Sequence, residues 1–314
     1  MSYKPAITDS HIIPHICELS KLKDQLFSRG SKVTDHSEEK TLISAERTNI
    51  DWTAYRVAQE LTSIIEKNHL SNVIIMCEVP TARDFIHSVF SQNAIKSKAF
   101  TSLDPLQTWS AEDLRKDISR GFSGLYLQPV VQHFHVYDKR AYGLYEVCEK
   151  LKIPVKINFG LVPSPYADMR YANPIELQPV ARDFPNVPFI VPALGGGFYR
   201  ELLMVMTKCN NVFADLSNAK HHLTYDTTGQ TLKEQILRIV DLAGTNKIIF
   251  GSAPSEHFGD YDSDYLEKML NVFKDFSEED QNLIFNRNIL SLTESVNHLK
   301  ANEQPVSRIR LKRF

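Results

Sequence analysis

Histidine exchanges a proton near neutrality more readily than any other unperturbed side chain and is the commonest metal ligand. Seven of the chain's 11 histidines stand at or just beyond the ends of short apolar runs. His11 closes PAITDSH (5–11) and His15 follows it. His133 and His135 follow GLYLQPV (124–130), inside QHFHVYD. His221 and His222 lie beyond NVFADLS (211–217), which carries Asp215 and Ser217. Glu256 and His257 follow KIIFGSA (247–253), and Asn158 sits near the end of IPVKINFG (153–160). Imidazoles and carboxylates gathered this way suit general acid–base work. Plainer readings stand beside that one. Asp215 is either a pocket carboxylate or a capped structural acid. Glu256 and His257 are an acid–base pair or, more simply, part of a solvated rim. His133-Phe134-His135, with Asp138 nearby, has the spacing of a metal pair. FIVPALGGGF (189–198) adds a puzzle. Its glycines let the backbone approach something closely, yet the residue at the strand tip, Ala193, carries no chemistry.

Eight short runs bounded by Gly, Pro, Asn or Asp would hold these residues: 5–11, 72–79, 98–104, 124–130, 153–160, 187–194, 211–217 and 247–253. Helical patterns lie between them. Residues 53–68 space Tyr55, Ala58, Leu61, Ile64 and Ile65 as one helix face. The stretches 81–90, 110–119, 141–151, 198–209 and 232–243 follow suit, with Ser110 and Ser277 as expected N-caps. Eight strands alternating with helices predict a (β/α)8 TIM barrel, in which sites form at the C-terminal ends of the strands. An open doubly wound sheet is the alternative, but no G-x-G-x-x-G follows the first strand. The chain reads as one barrel domain over 1–314, with a long loop insertion at about 15–50 and a short basic C-terminal tail, RIRLKRF (308–314). Ile16, Leu19, Leu22 and Leu26 make the insertion a candidate lid over the barrel mouth; a surface insertion is the alternative.

Composition excludes several classes. The chain of 314 residues is 42% hydrophobic and 24% charged, with a formal net charge of -2, so nothing draws it to nucleic acid or an anionic membrane. Four scattered cysteines without a C-x-x-C pair argue against a zinc ribbon or a disulfide framework and fit a reducing compartment. No signal peptide and no membrane-length apolar run is read, so the expectation is a cytoplasmic protein. A small-molecule substrate or ligand is the expected partner, and homo-oligomerisation stays open.

The ordered set ITDSHIIPH (7–15), LDP (103–105), YGLYEVCEKLKIPVKINFG (142–160), FPNVPFIVPALGGG (184–197), NNVFADLSN (210–218), KIIFGSAP (247–254) and FNRNILSL (285–292) resembles the amidohydrolase superfamily. The resemblance is to its amidohydrolase-related branch, which includes lactone hydrolases and metal-dependent decarboxylases. It implies a barrel with a metal held by D-x-H-x-H, by histidines ending strands five and six, and by the aspartate of G-S-D after strand eight. This chain keeps Asp9 and His11 but has Ile13, Asn158, Ala193 and Ala253 at the other ligand positions. Ile and Ala supply no donor and an Asn amide is a poor zinc ligand, so no metal and no other cofactor is expected. Ala193 reads as the relic of a lost ligand.

If Asn158 points inward as the family's histidine does, strand alternation turns Lys156 inward too, and an inward His11 implies an inward Asp9. A buried ammonium needs a partner, and Asp9 is the expected one. Lys156 then either supplies the positive charge the metal gave, stabilising an oxyanion or acting as a Schiff-base nucleophile, or is an internal ion pair filling vacated space. The expectation is a metal-independent, divergent amidohydrolase-like enzyme acting on a small carbonyl or carboxylate compound by hydrolysis, decarboxylation or a related lyase or cyclisation step. Its catalytic candidates are His11, Lys156, Asn158, Asp215 and His257; its substrate-binding candidates are His15, His133, His135 and Glu256. The alternative is a non-catalytic pseudoenzyme that binds a ligand or partners an active enzyme.

Overall fold

The computed structural model describes residues 3–13, 47–91, 96–160, 167–220, 223, 227–252 and 261–294, with backbone alone for 47–53. The candidates His15, Glu256 and His257, the lid expected within 15–50 and the basic tail lie outside the described residues, apart from backbone at 47–50.

Every run expected to be a strand overlaps one. They are β1 (Thr8–Ile12), β2 (Asn72–Met76), β3 (Ser97–Thr101), β4 (Gly124–Leu127), β5 (Val155–Ile157), β6 (Phe189–Val191), β7 (Val212–Asp215) and β8 (Ile248–Ile249). All neighbours pair in parallel, in sequence order. Across the remaining seam the Ser10 amide donates to Phe250 O at 3.2 Å, so the eight strands make a nearly closed (β/α)8 TIM barrel.

Alternation along each strand sorts side chains into two layers. Val73, Ile75, Leu125, Val155, Ile157 and Ile248 join the helices in the larger apolar cluster, with Ile86, Leu114, Val147, Leu202 and Ile236. Their alternates Ile74, Met76, Phe100, Tyr126, Ile190, Phe213 and Ile249 form a second cluster, which fills the barrel. Cross-strand register sets Tyr126, Lys156, Ile190 and Phe213 side by side at one level of that interior. Gly124 is small for a steric reason: a Cβ there would lie 2.7 Å from the Phe100 ring. At the N-terminal end of the strands, Ile289 and Leu292 of the helix Asn288–Glu294 pack against the interior cluster. The Lys98 ammonium bonds Thr293 O and Oγ1 beside them.

Two helix details differ from expectation. The helix Arg47–Lys67 buries Ala54, Val57, Ala58 and Leu61, while Tyr55 is 44% exposed. Tyr55 lies one residue from the buried stripe and accepts a hydrogen bond from Gln59 instead. Ser110 is not a cap: the helix Ser110–Ser119 starts on it, and its hydroxyl donates to Asp104 O at 2.5 Å. Ser277 caps the helix Glu278–Asn282, accepting from the Asp280 amide. No helix among the described residues is long and apolar enough to cross a membrane.

The glycine run after β6 is a contact between backbones. Ala193 (φ 54°), Leu194 (48°), Gly195 (81°), Gly196 (60°) and Gly197 (104°) all lie in the left-handed region, which costs Ala and Leu strain that glycine avoids. A Cβ on Gly196 would fall 2.1 Å from the Cα of Gly160, in the loop after β5. Gly196→Ala is therefore expected to destabilise the fold by about 1–3 kcal/mol or more, the scale of overpacking, as read by urea denaturation. A change within error would show that the two loops separate freely.

Candidate functional site

At the C-terminal side of the filled layer the interior turns polar. Lys156, 1% exposed, donates to Asp215 Oδ2 at 2.7 Å, to Ser10 O at 2.9 Å and to Ser10 Oγ at 3.3 Å. Ser10 Oγ also donates to Asp215 Oδ2, and the Ser217 amide donates to Asp215 Oδ1 at 2.6 Å. Lys156 faces in because Val155 and Ile157 belong to the helix-side layer; Asp215 faces in because it registers with Ile249. Gly251 leaves the room, since a Cβ there would sit 2.6 Å from Ser10 Oγ and 3.0 Å from Asp215 Oδ1. Burial is the largest influence on each charge. It pulls Lys156 below the ordinary lysine value, with Asp215 opposing. It pushes Asp215 upward, but the Lys156 charge leads the effects that outweigh it, and the carboxyl is held below its usual range.

The expected Lys156–Asp9 pair is thus replaced by Lys156–Asp215. The cause is a register slip in β1 between Asp9 and Ile12. Asp9 registers with Val73 of the helix-side layer, whereas Ser10 meets Lys156 inside the barrel. A bulge breaks strict alternation, so an inward His11 does not turn Asp9 inward. Instead Asp9 Oδ1 accepts from the His11 and Ser252 amides, each at 3.0 Å, bracing β1 against the end of β8. Burial pushes the Asp9 carboxyl above its ordinary value, against hydrogen bonds from Ser252, His11 and Tyr261. Asp9→Asn keeps the accepting oxygen and removes the cost of a buried charge, so it is expected to fold with a urea midpoint near wild type. Asp9→Ala strands both amides and is expected to cost about 1–3 kcal/mol. Equal losses in the two variants would contradict this.

His11 is buried, with Nδ1 3.2 Å from Ser217 Oγ and its ring edge-on to Tyr126 at 5.8 Å. Burial first, then the Lys156 charge, pulls its pKa well below the ordinary value, so the imidazole is neutral. Asn158, half-buried, donates to the Tyr126 hydroxyl at 3.2 Å and accepts from the Gly160 amide at 2.9 Å. Gln128, one inward position beyond Tyr126, bonds Glu78 O. Sequence reasoning missed Ser10, Tyr126 and Gln128. Tyr126 and Gln128 were within its reach, since GLYLQ alternates Leu125 and Leu127 outward with Tyr126 and Gln128 inward.

The structure therefore gathers His11, Lys156, Asp215 and Ser217 into one network, with Asn158 joined through Tyr126. His133 and His135 are engaged elsewhere on the rim. His135 Nδ1 is 2.8 Å from Glu176 Oε1, and its ring lies 5.1 Å from Tyr137 and 4.7 Å from Tyr171. His133 stacks on Tyr171 at 6.1 Å. Asp138 is bound by Arg140.

The metal centre implied by the family resemblance does not fit these residues. Ile13 packs against the apolar barrel interior, Ala193 has no donor, and the Asn158 amide is held by Tyr126 and Gly160. An ammonium, itself a cation, lies within the same network as His11 and Asp215. Among the described residues no group of three His, Cys, Asp or Glu side chains is arranged to hold a metal ion.

Comparison with solved structures finds the same barrel at low identity. An uncharacterized TIM-barrel protein from Bordetella bronchiseptica is 16% identical over 93% of this chain and 99% of that one, with a TM-score of 0.66. A probable 2-pyrone-4,6-dicarboxylic acid hydrolase from Acinetobacter baumannii is 12% identical over 92% and 99%, with a TM-score of 0.60. A 5-carboxyvanillate decarboxylase from Sphingomonas paucimobilis is 10% identical over 93% and 99%, with a TM-score of 0.63. Comparison with curated proteins finds no match. The amidohydrolase family model matches residues 87–292, most of the barrel, and the chain belongs to that family.

Proposed function

We propose that this chain is a metal-independent enzyme acting on a small carbonyl or carboxylate compound by hydrolysis, decarboxylation or a related lyase or cyclisation step. The observation that carries the reading is a buried His11 joined through Ser217 to the Lys156–Asp215 pair, at the barrel end where this fold does its chemistry. His11 and Asn158 meet the substrate, and the ion pair beneath sets the field around them. Two similar structures add support by their names, a dicarboxylic acid hydrolase and a carboxyvanillate decarboxylase. A reducing, cytoplasmic setting is supported by Cys77, Cys148 and Cys209, which are buried free thiols. A homo-oligomer belongs to the same proposal as an open arm, read by light scattering.

The test is turnover by protein stripped with a chelator. Decarboxylation is followed as carbon dioxide release from aromatic and 2-oxo carboxylic acids, and hydrolysis as ring opening of lactones. Activity that survives stripping is the expected result; activity that returns only with added zinc or manganese would overturn metal independence.

A second reading, a ligand-binding barrel without turnover, rests on one observation. The three N–H groups of Lys156 and both Asp215 oxygens are already engaged within the protein. That saturation also counts against Lys156 as a Schiff-base nucleophile. Saturable calorimetric binding of the same compounds, with no product formed, distinguishes this reading.

A further inference from the structure

We infer that Ser217 fixes the tautomer of His11, so that the imidazole meets the substrate as a neutral hydrogen-bond donor through Nε2–H. The inference deepens the proposed function and rests on its placing of His11 against the substrate.

A neutral imidazole has one N–H and one bare nitrogen, and the partner of one nitrogen decides the state of the other. The partner here is Ser217 Oγ, 3.2 Å from Nδ1. Ser217 is fully buried and held through both of its backbone polar groups. Its amide donates to Asp215 Oδ1 at 2.6 Å, and its carbonyl accepts from the Ala193 amide at 2.9 Å. The hydroxyl is left with rotation about one bond.

Its proton then needs an acceptor, because a buried hydroxyl proton without one is costly. Among the described residues no hydrogen bond runs from Ser217 Oγ to Asp215, whose Oδ1 accepts from the Ser217 amide and whose Oδ2 accepts from Ser10 Oγ and Lys156. Among the described residues the acceptor within reach is His11 Nδ1. Ser217 therefore donates to Nδ1, and the imidazole proton sits on Nε2, on the far side of the ring.

The surroundings decide what such a ring can do. Burial first, then the Lys156 ammonium, oppose an imidazolium, and together they outweigh the Asp215 carboxylate, which favours one. A general base must become one; a hydrogen-bond donor need not. A neutral imidazole can polarise a carbonyl and stabilise the oxygen on which negative charge builds. Charge of that kind develops on the carbonyl oxygen in ester or lactone hydrolysis, and on the oxygen that receives the electron pair when a carboxylate leaves as carbon dioxide. Ser217 acts through His11 and is a positioning residue. Ala193 gains a purpose as well, since its left-handed position in the strained turn supplies the amide that holds Ser217.

The experiment is 15N NMR of the full chain labelled at histidine, with the His11 signals assigned by their loss in His11→Gln. Nδ1 is expected as a bare, pyridine-type nitrogen and Nε2 as a protonated, pyrrole-type one. Ser217→Ala is expected to shift population toward Nδ1–H, and Ser217→Cys, a weaker donor of similar volume, to lie between. The Cys variant carries the measurement if the Ala variant does not fold. Nδ1–H in the wild type, or no change in either variant, overturns the assignment. The readout needs no substrate, so it fails separately from the proposed function. With a carboxylic acid or lactone that the wild type turns over, Ser217→Ala is expected to lower kcat at least about tenfold, as loss of the correct tautomer does elsewhere, with little change in KM. A fall confined to KM would also overturn it.

Discussion

Replacing Lys156 with methionine is expected to lower the unfolding free energy by about 3–5 kcal/mol, the scale for leaving one member of a buried ion pair alone. The side-chain volume is nearly kept, so the loss reports charge: Asp215 would stay at 0% exposure without its cation. The paired variant Lys156→Met/Asp215→Asn retains an acceptor for the Ser217 amide and is expected to recover much of the loss, which a double-mutant cycle in urea would quantify. Acid separates the variants further. In the wild type the Asp215 carboxyl is held below its ordinary value of 3.8, so its contribution is present above that pH and is lost as pH falls through the depressed folded value. In Lys156→Met only the hydrogen bonds from Ser10 and Ser217 still oppose burial, so the folded pKa is expected to rise above the unfolded one and stability to increase as pH falls from neutrality. A methionine variant less than about 1 kcal/mol weaker than wild type would mean that the pair does not form as described.

His11→Ala is expected to lower kcat by about 10²–10³-fold, the cost of deleting one preorganised donor at a developing oxyanion. His11→Gln, whose side-chain amide keeps an N–H, should recover part of that activity. Circular dichroism and the urea midpoint of both variants separate lost chemistry from lost fold, since His11 packs against Tyr126 and its removal also leaves space. Full activity in His11→Ala would move the reaction away from the network around Lys156.

Much of the fold was legible because a parallel barrel strand carries two patterns at once. Val155 and Ile157 mark the helix side, and Lys156 between them must then face the interior. The same reasoning misassigned the partner of Lys156. One extra residue in β1, between Asp9 and Ile12, moves Asp9 out of phase and brings Ser10 to the lysine. A bulge is set by pairing with neighbouring strands and leaves no mark in the TDSHI run itself. Ser10 was invisible for a related reason: a serine is ordinary in sequence and becomes informative only when an ammonium and a carboxylate meet on it. The histidine-rich rim shows the limit of counting residue types. His133 and His135 lie on the expected face, yet their partners, Tyr171 and Glu176, come from the loop after the next strand. Which imidazoles share a site depends on how loops cross, and local spacing does not encode that.

The way the two ends of the barrel meet bears on how the chain is made. β1 comes from the first dozen residues and pairs early with β2, but its partners on the other side arrive last: Phe250 O for the Ser10 amide, the Ser252 amide for Asp9, and Asn286 for the Thr8 hydroxyl, 278 residues away. The floor waits longer still, for Ile289, Leu292 and the Thr293 groups that receive Lys98. A nascent chain can stack its middle β-α units early, but it cannot close the ring until residues near 294 have left the ribosome. Contacts so distant in sequence make closure slow. Meanwhile the open sheet bares the β1 and β8 edges, which is the interval when a chaperone would matter most.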